Sequence, residues 1–220
     1  MRQPRFYFSL RSPYSWLAWH DLVTRYPDVA DACDWRPFWE PDQHSERLLT
    51  EAGGRFVYTA MSREKHLYIL QDVRRLAAGR GLTVAWPADR EPVWEVPHLA
   101  YLLAERAGRG REFVAAAYRA RFGAGRDICD PAVVADLATG LGLDPGELST
   151  AADKPELRAT GTGKLRDLHS DGVFGVPYFV RGYDRYWGVD RLPDFVDLVR
   201  AELAPVPART TDWGHAGGCG

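Results

Sequence analysis

Two hydroxyls three residues apart, Ser12 and Ser15 in Ser12-Pro13-Tyr14-Ser15, are the groups best placed to do chemistry, with the cation Arg11 directly before them. Ser12 is a good helix N-cap and Pro13 suits the first helical position, because its missing N–H would have no intrahelical partner there. At such a helix start the unpaired N–H groups and the helix dipole converge, and they stabilise an anion or thiolate set in front of them. The other candidates for chemistry fail on spacing. Cys33, Cys129 and Cys219 are odd in number and far apart, with no CxxC and no Cys/His pair at zinc spacing, so neither a disulfide framework nor a metal site is expected. Asp127 and Asp130 flank Cys129 closely enough to raise a thiol pKa, which argues against a nucleophile. Gly161-Thr162-Gly163-Lys164 is no phosphate loop, since Arg158 and Leu165 stand where glycine and a hydroxyl residue are required. His98, beside Trp94 and Glu95, reads as a surface histidine rather than an acid or base.

The elements that must hold these residues follow from the hydrophobic periods. The aromatic run 5–9 reads as a strand, the apolar stretch Tyr14 to Val23 as a helix, and 34–38 as a second strand that Pro37 confines to an edge or ends. From Ser62 onward helical spacing dominates: Leu67, Leu70, Val73 and Leu76, then 99–107, 111–122 and 131–141, separated by glycines or Asp-Pro breaks. After Gly172 the period changes. Two short strands, 178–181 and 185–188, fit a hairpin joined through Gly182, Tyr183 and Asp184, and Asp190 then caps a last helix bearing Leu192, Phe195, Val196 and Val199 on one face.

Strand, helix, strand, helical block, hairpin, helix is the thioredoxin order with an insertion after the second strand. The expected fold is therefore α/β and thioredoxin-like, with residues 1–42 and 161–204 forming the core domain, 43–160 a large all-helical insertion, and 205–220 a flexible tail rich in Pro and Gly. Redox enzymes of this fold carry CxxC at the turn occupied here by Ser12 to Ser15, and two serines cannot cycle through a disulfide. At 220 residues and 45% hydrophobic the chain can bury a full core. A net charge of -2 gives no field to gather nucleic acid or an anionic membrane surface. The first nineteen residues lack the apolar core of a secretory signal, which points to a cytoplasmic protein.

The segments FYFSLRSPYSWLA, EKHLYILQDVRRLAAGRGL and GVFGVPYFVRGYDRYWGVDRL resemble the 2-hydroxychromene-2-carboxylate isomerase and kappa-class glutathione transferase group of the DsbA-like superfamily, over about residues 5 to 202. The resemblance implies an enzyme, an isomerase or glutathione transferase, acting on a small molecule, with glutathione as cofactor, no metal, and a homodimeric state. It also implies roles: Ser12 hydrogen-bonds the glutathione sulfur as catalytic residue, Pro177 is the cis-proline that lets the Val176 backbone pair with glutathione, and Asp190 binds the γ-glutamyl end next to Val189. In the isomerases the thiolate adds to a conjugated double bond, permits rotation and leaves.

This chain departs from that pattern at several positions. Ser9 stands where an acidic residue is usual, Gly53 to Val57 replaces an asparagine-containing loop, and Val189 replaces a polar residue. Arg11 is an added cation that suits an anionic substrate, and Tyr14 belongs to the pocket wall. Eight tryptophans and an aromatic content of 12% suit a flat apolar substrate, aromatic or polyketide-like. Two other readings stay open: a glutathione-independent enzyme that binds an anionic substrate through Arg11 and the helix start, and a non-catalytic protein whose cis-proline groove holds a peptide. Ser12 and Asp190 also have purely structural readings as helix caps.

Overall fold

The structure, a computed structural model, describes residues 3–57 and 61–203. Strand β1 (Arg5–Phe8) leads into helix α1 (Pro13–Arg25), a short helix α2 (Pro27–Ala32) and strand β2 (Asp34–Pro37). The helical run is α3 (Gln43–Glu51), α4 (Arg63–Ala78), α5 (Glu95–Arg106), α6 (Gly110–Tyr118), a π-helical turn Arg119–Gly123, α7 (Pro131–Gly140), α8 (Pro145–Ser149) and α9 (Pro155–Ser170). Strands β3 (Tyr178–Arg181) and β4 (Asp184–Trp187) and helix α10 (Leu192–Leu203) close the fold. Among the described residues no helix is long and apolar enough to cross a membrane. The tail beyond Leu203, with Trp213, lies outside the described residues.

The sheet order is β2-β1-β3-β4, with β1 parallel to β2 and antiparallel to β3. This is the thioredoxin arrangement, and it explains why β1 shows no hydrophobic alternation: as a central strand it is buried on both faces, and all four of its residues are inaccessible or nearly so. Phe6 stacks on Phe179 at 5.2 Å, and Phe179 stacks on Phe195 of α10 at 5.0 Å, so one aromatic column joins sheet to terminal helix. Pro37 ends β2 at the sheet edge, where its missing N–H costs no ladder bond.

The helix starts are set by short polar side chains. Ser12, Asp42, Ser62, Asp130 and Asp144 each accept a hydrogen bond from a backbone N–H in the first turn that follows. The Asp-Pro pairs that read as breaks between helices are thus the beginnings of α7 and α8. Gly161 sits in the middle of α9 because a Cβ there would lie 2.7 Å from Leu99 Cδ2 and 3.2 Å from Trp39; the Gly-Thr-Gly-Lys run is a helix face packed closely on α5.

Two local expectations are corrected. The hairpin loop is Gly182-Tyr183, with Gly182 at φ +58, so Asp184 pairs with Arg181 inside the ladder. Asp190 caps no helix: Val189–Arg191 form a 3-10 turn, Gly188 is the residue before it, and α10 begins only at Leu192.

Candidate active site

The chain leaves β1 into a tight turn, Ser9 to Ser12, whose polar groups are almost all spoken for. The Ser9 N–H donates to Ser15 Oγ at 3.2 Å, and the Ser9 carbonyl accepts from Ser12 N–H at 3.1 Å and from the Tyr118 hydroxyl at 3.0 Å. The Arg11 N–H donates to Ser9 Oγ at 3.3 Å. Ser9 and Ser15 are both buried, so of the two hydroxyls in the Ser-Pro-Tyr-Ser stretch only Ser12 is partly open to solvent.

Ser12 Oγ accepts from Ser15 N–H at 3.2 Å, which makes it the N-cap of α1. A hydroxyl that accepts through a lone pair keeps its own O–H to donate, so the capping role and a role toward a ligand are compatible. Pro13 has no N–H, and the Tyr14 N–H has no hydrogen-bond partner among the described residues. The Arg11 guanidinium pairs with Glu40 at 2.6 Å and lies over the Trp94 ring at 5.4 Å, both groups being partly exposed. The Tyr14 hydroxyl donates to Asp72 of α4 at 2.8 Å. Burial and then that carboxylate push its pKa up, so the phenol stays protonated.

The Val176–Pro177 peptide is cis. Continuing the β1–β3 register beyond Tyr7↔Tyr178 sets Pro177 beside Phe8, the last residue before the Ser9–Ser12 turn. Gly188 N–H donates to the Pro177 carbonyl at 3.0 Å, while the Val176 backbone makes no hydrogen bond to another described residue. Phe174 and Trp187, both half-exposed, meet edge to face beside this loop with ring centroids 5.1 Å apart. The Val189–Arg191 turn packs against α1. The Asp190 carboxylate is 71% exposed and lies 3.8 Å from Arg191, so it faces solvent rather than the core.

Gly188 makes that turn possible. Its φ of +103 with ψ 157 is open to glycine and hardly to any other residue, and a Cβ would come 2.6 Å from Asp190 Oδ1. Gly188→Ala should therefore cost about 1–3 kcal/mol of stability. Thermal unfolding reads it, and an unchanged midpoint would show the turn to be free of this constraint.

The residue that sequence reasoning misjudged is His98. It is wholly buried, not on the surface, and its Nε2 accepts the Leu10 N–H at 3.1 Å from inside the turn that carries Arg11 and Ser12. Nε2 can accept only if Nδ1 bears the proton, and Nδ1 lies 2.7 Å from the Trp94 carbonyl, which it must therefore meet as donor. Burial, with Arg121 adding to it, lowers the His98 pKa to about 3, so the ring is neutral. No local signal betrays this contact, which spans 88 residues.

A cleft of about 470 Å³ opens at the far end of the sheet, among Arg5, Asp34, Arg36, Asp167 and Asp171. Most of its charges pair with one another: Arg5 with Asp171 at 2.5 Å, Arg36 with Asp34 at 2.7 Å, and Tyr7 donates to Asp171. Among the described residues no cluster of three or more His, Cys, Asp or Glu could hold a metal ion. Burial raises the thiols of Cys33 and Cys129 to about 12, which leaves both unreactive at neutral pH.

A β-α-β unit, an inserted helical run, a hairpin entered through a cis-proline and a closing helix define a thioredoxin-fold protein. The chain belongs to the DSBA-like thioredoxin domain family, whose model matches residues 5–200. It is 30% identical over 204 residues to the 2-hydroxychromene-2-carboxylate isomerase of Sphingobium xenophagum, covering 87% of this chain and 94% of that protein. A solved 2-hydroxychromene-2-carboxylate isomerase superposes with a TM-score of 0.72 at 21% identity, over 92% of this chain and 99% of the other. The cytosolic disulfide reductase DsbM from Pseudomonas aeruginosa, solved with GSH, gives 0.59 at 18% identity over 91% and 98% of the two chains. The structural likenesses carry the fold; the sequence kinship makes this an isomerase or another enzyme on the thioredoxin scaffold.

Proposed function

We propose that this protein is a glutathione-linked isomerase or transferase acting on an aromatic or polyketide-like electrophile. The observation that carries the reading is Ser12: its oxygen caps α1 while its O–H remains to donate, at a helix start whose Tyr14 N–H is also unused. Bound glutathione would supply a thiolate that adds to a conjugated double bond, lets it rotate and leaves, without net consumption. The Ser12 hydroxyl holds that sulfur as the anion by donating to it. The Val176 backbone, with its own N–H and carbonyl unpaired among the described residues, is suited to pair with an extended tripeptide as a strand would. Asp190, exposed beside α1, meets the ligand's ammonium group, and Val189 contributes apolar contact. Arg11 binds an anionic group of the electrophile by exchanging its exposed partner Glu40 for it. Dithiol exchange has no place in this reading, because positions 12 and 15 both carry hydroxyls and Ser15 is buried.

The same Arg11–Glu40 pair supports a second reading, in which an anionic substrate binds without glutathione; Val189 and the Gly53–Val57 loop, where the resembled family has polar contacts, favour it. Calorimetric titration with reduced glutathione separates the two. Saturable binding below millimolar concentration, lost in Asp190→Ala, supports the glutathione-linked enzyme; no binding at millimolar concentration overturns it in favour of the second reading. Ser12→Asp refines the result, since aspartate keeps the cap but cannot donate to a thiolate. It should lower turnover of a glutathione-reactive electrophile by about a hundredfold, the scale of losing one donor at a developing or held anion, with α1 intact. Turnover equal to that of the unaltered enzyme would remove Ser12 from the mechanism.

A further inference from the structure

We infer that His98 is a positioning residue: from the first turn of α5 it fixes the Ser9–Ser12 turn, and through that turn the direction of the Ser12 hydroxyl. Leu10 is inaccessible to solvent, so its N–H must find an acceptor inside the protein. Neither neighbouring strand provides one. The β2 ladder ends with Phe38 N–H donating to the Phe8 carbonyl, and the β3 ladder ends at Tyr7↔Tyr178. The acceptor comes instead from a helix of the inserted run, as the Nε2 of His98.

The imidazole is itself held on every side. Nδ1 donates to the Trp94 carbonyl, one face stacks on Trp39 at 5.3 Å and 18°, and the Trp94 ring meets it edge-on. Both nitrogens are engaged, so the ring can neither flip nor rotate without breaking a bond. Two guanidinium groups lie over the Trp94 ring, Arg11 at 5.4 Å and Arg121 at 5.0 Å. The N-terminal end of α5 therefore places two consecutive site residues: Arg11 through the Trp94 ring and Ser12 through His98 and Leu10. A strand end alone would let the turn shift with solvent; this one is referenced to a rigid helix. Core filling by itself would need no acceptor at Nε2, and leucine would serve as well.

The inference about Ser12 as thiolate donor rests on the function proposed above, and the experiment keeps the two apart. In ¹⁵N-labelled protein without ligand, His98→Leu should exchange the Leu10 amide about tenfold faster or more and shift the Arg11 and Ser12 amide resonances, while amides in α7 keep theirs. His98→Gln, whose carbonyl can accept from Leu10 and whose amide can donate to Trp94, should restore them. With glutathione bound, thiolate absorbance should show the thiol pKa raised by about one unit in the leucine variant, tenfold less thiolate, and recovered in the glutamine variant. If His98→Leu does not fold, His98→Asn, one methylene too short to reach Leu10, takes its place against His98→Gln. Turn amides identical to those of the unaltered protein in the leucine or asparagine variant overturn the inference, whatever glutathione does. Failure of the unaltered protein to bind glutathione overturns the proposed function alone, and the ligand-free amides still decide the role of His98.

Discussion

Replacing Asp89 with alanine should destabilise the fold by about 3 kcal/mol, at the lower end of what breaking a buried ion pair from one side costs. Arg121 lies in the π-helical turn with its side chain 4% exposed, and both terminal nitrogens bond the Asp89 carboxylate, at 2.7 and 2.8 Å. Its Nε has no partner, so Asp89 is the one carboxylate this cation has among the described residues. Removal strands a guanidinium between Trp94 and Phe122, in a place where only ring faces remain to receive it. The reverse change costs less. Arg121→Met leaves Asp89, which is 28% exposed, able to turn to water, and it fills the buried space with an unbranched apolar chain. Urea unfolding of the two single variants and the double variant reads the pair: Asp89→Ala should be the least stable, and adding Arg121→Met to it should recover part of the loss. Equal losses from the two single substitutions would refute the buried-charge account.

The second large effect is acid lability that belongs to one histidine. His98 titrates near 6.5 when unfolded and at about 3 in the fold. The folded value lies below the unfolded one, so the unfolded chain takes up a proton first as pH falls. The stability contributed by the neutral ring is complete above the unfolded value, and it is lost progressively from about pH 6.5 down toward pH 3. Between pH 7 and pH 4 the loss comes to about 3 kcal/mol, at about 1.4 kcal/mol per pH unit over the steep part. Two carboxyls nearby respond as well: burial raises Glu95, which opposes the loss, and at Asp42 burial is outweighed by hydrogen bonds accepted from Ser45 and Arg158, which lower it and add to the loss. His98→Gln shares those terms and lacks the histidine. Unfolding curves for both proteins from pH 7 to pH 4 should therefore diverge, the histidine protein losing about 3 kcal/mol more. Parallel curves would mean that the ring is reached by protons in the folded state.

Much of the frame could be read from local rules. Ser12-Pro13 marks the α1 start because an N-cap oxygen and a preset φ act within three residues, and the same holds for Asp130-Pro131 and Asp144-Pro145. The change of period at Gly172 marks the hairpin, and the order of elements leads to the thioredoxin sheet. The resemblance of the Ser-Pro-Tyr-Ser and Gly-Val-Pro segments to an isomerase family agrees with the 30% identity to one such enzyme.

One unusual backbone angle and the contacts distant in sequence were beyond those rules. Asp190 followed by an apolar stripe has the pattern of an N-cap, yet Gly188 at positive φ turns the chain so that Asp190 enters a 3-10 turn and faces solvent. Nothing local explains Gly161 inside a helix; Leu99 and Trp39 pressing against it do. His98, polar and flanked by Glu95, has the local character of a surface residue; its burial follows from a donor 88 residues earlier that no strand could satisfy. The sequence by itself determined the periods, the Ser12 cap and the identity of the groups at the α1 start, because these depend on neighbours within a turn. Only the tertiary structure decided which buried donor meets which acceptor, because that pairing is settled by packing between elements and leaves no mark on the local pattern.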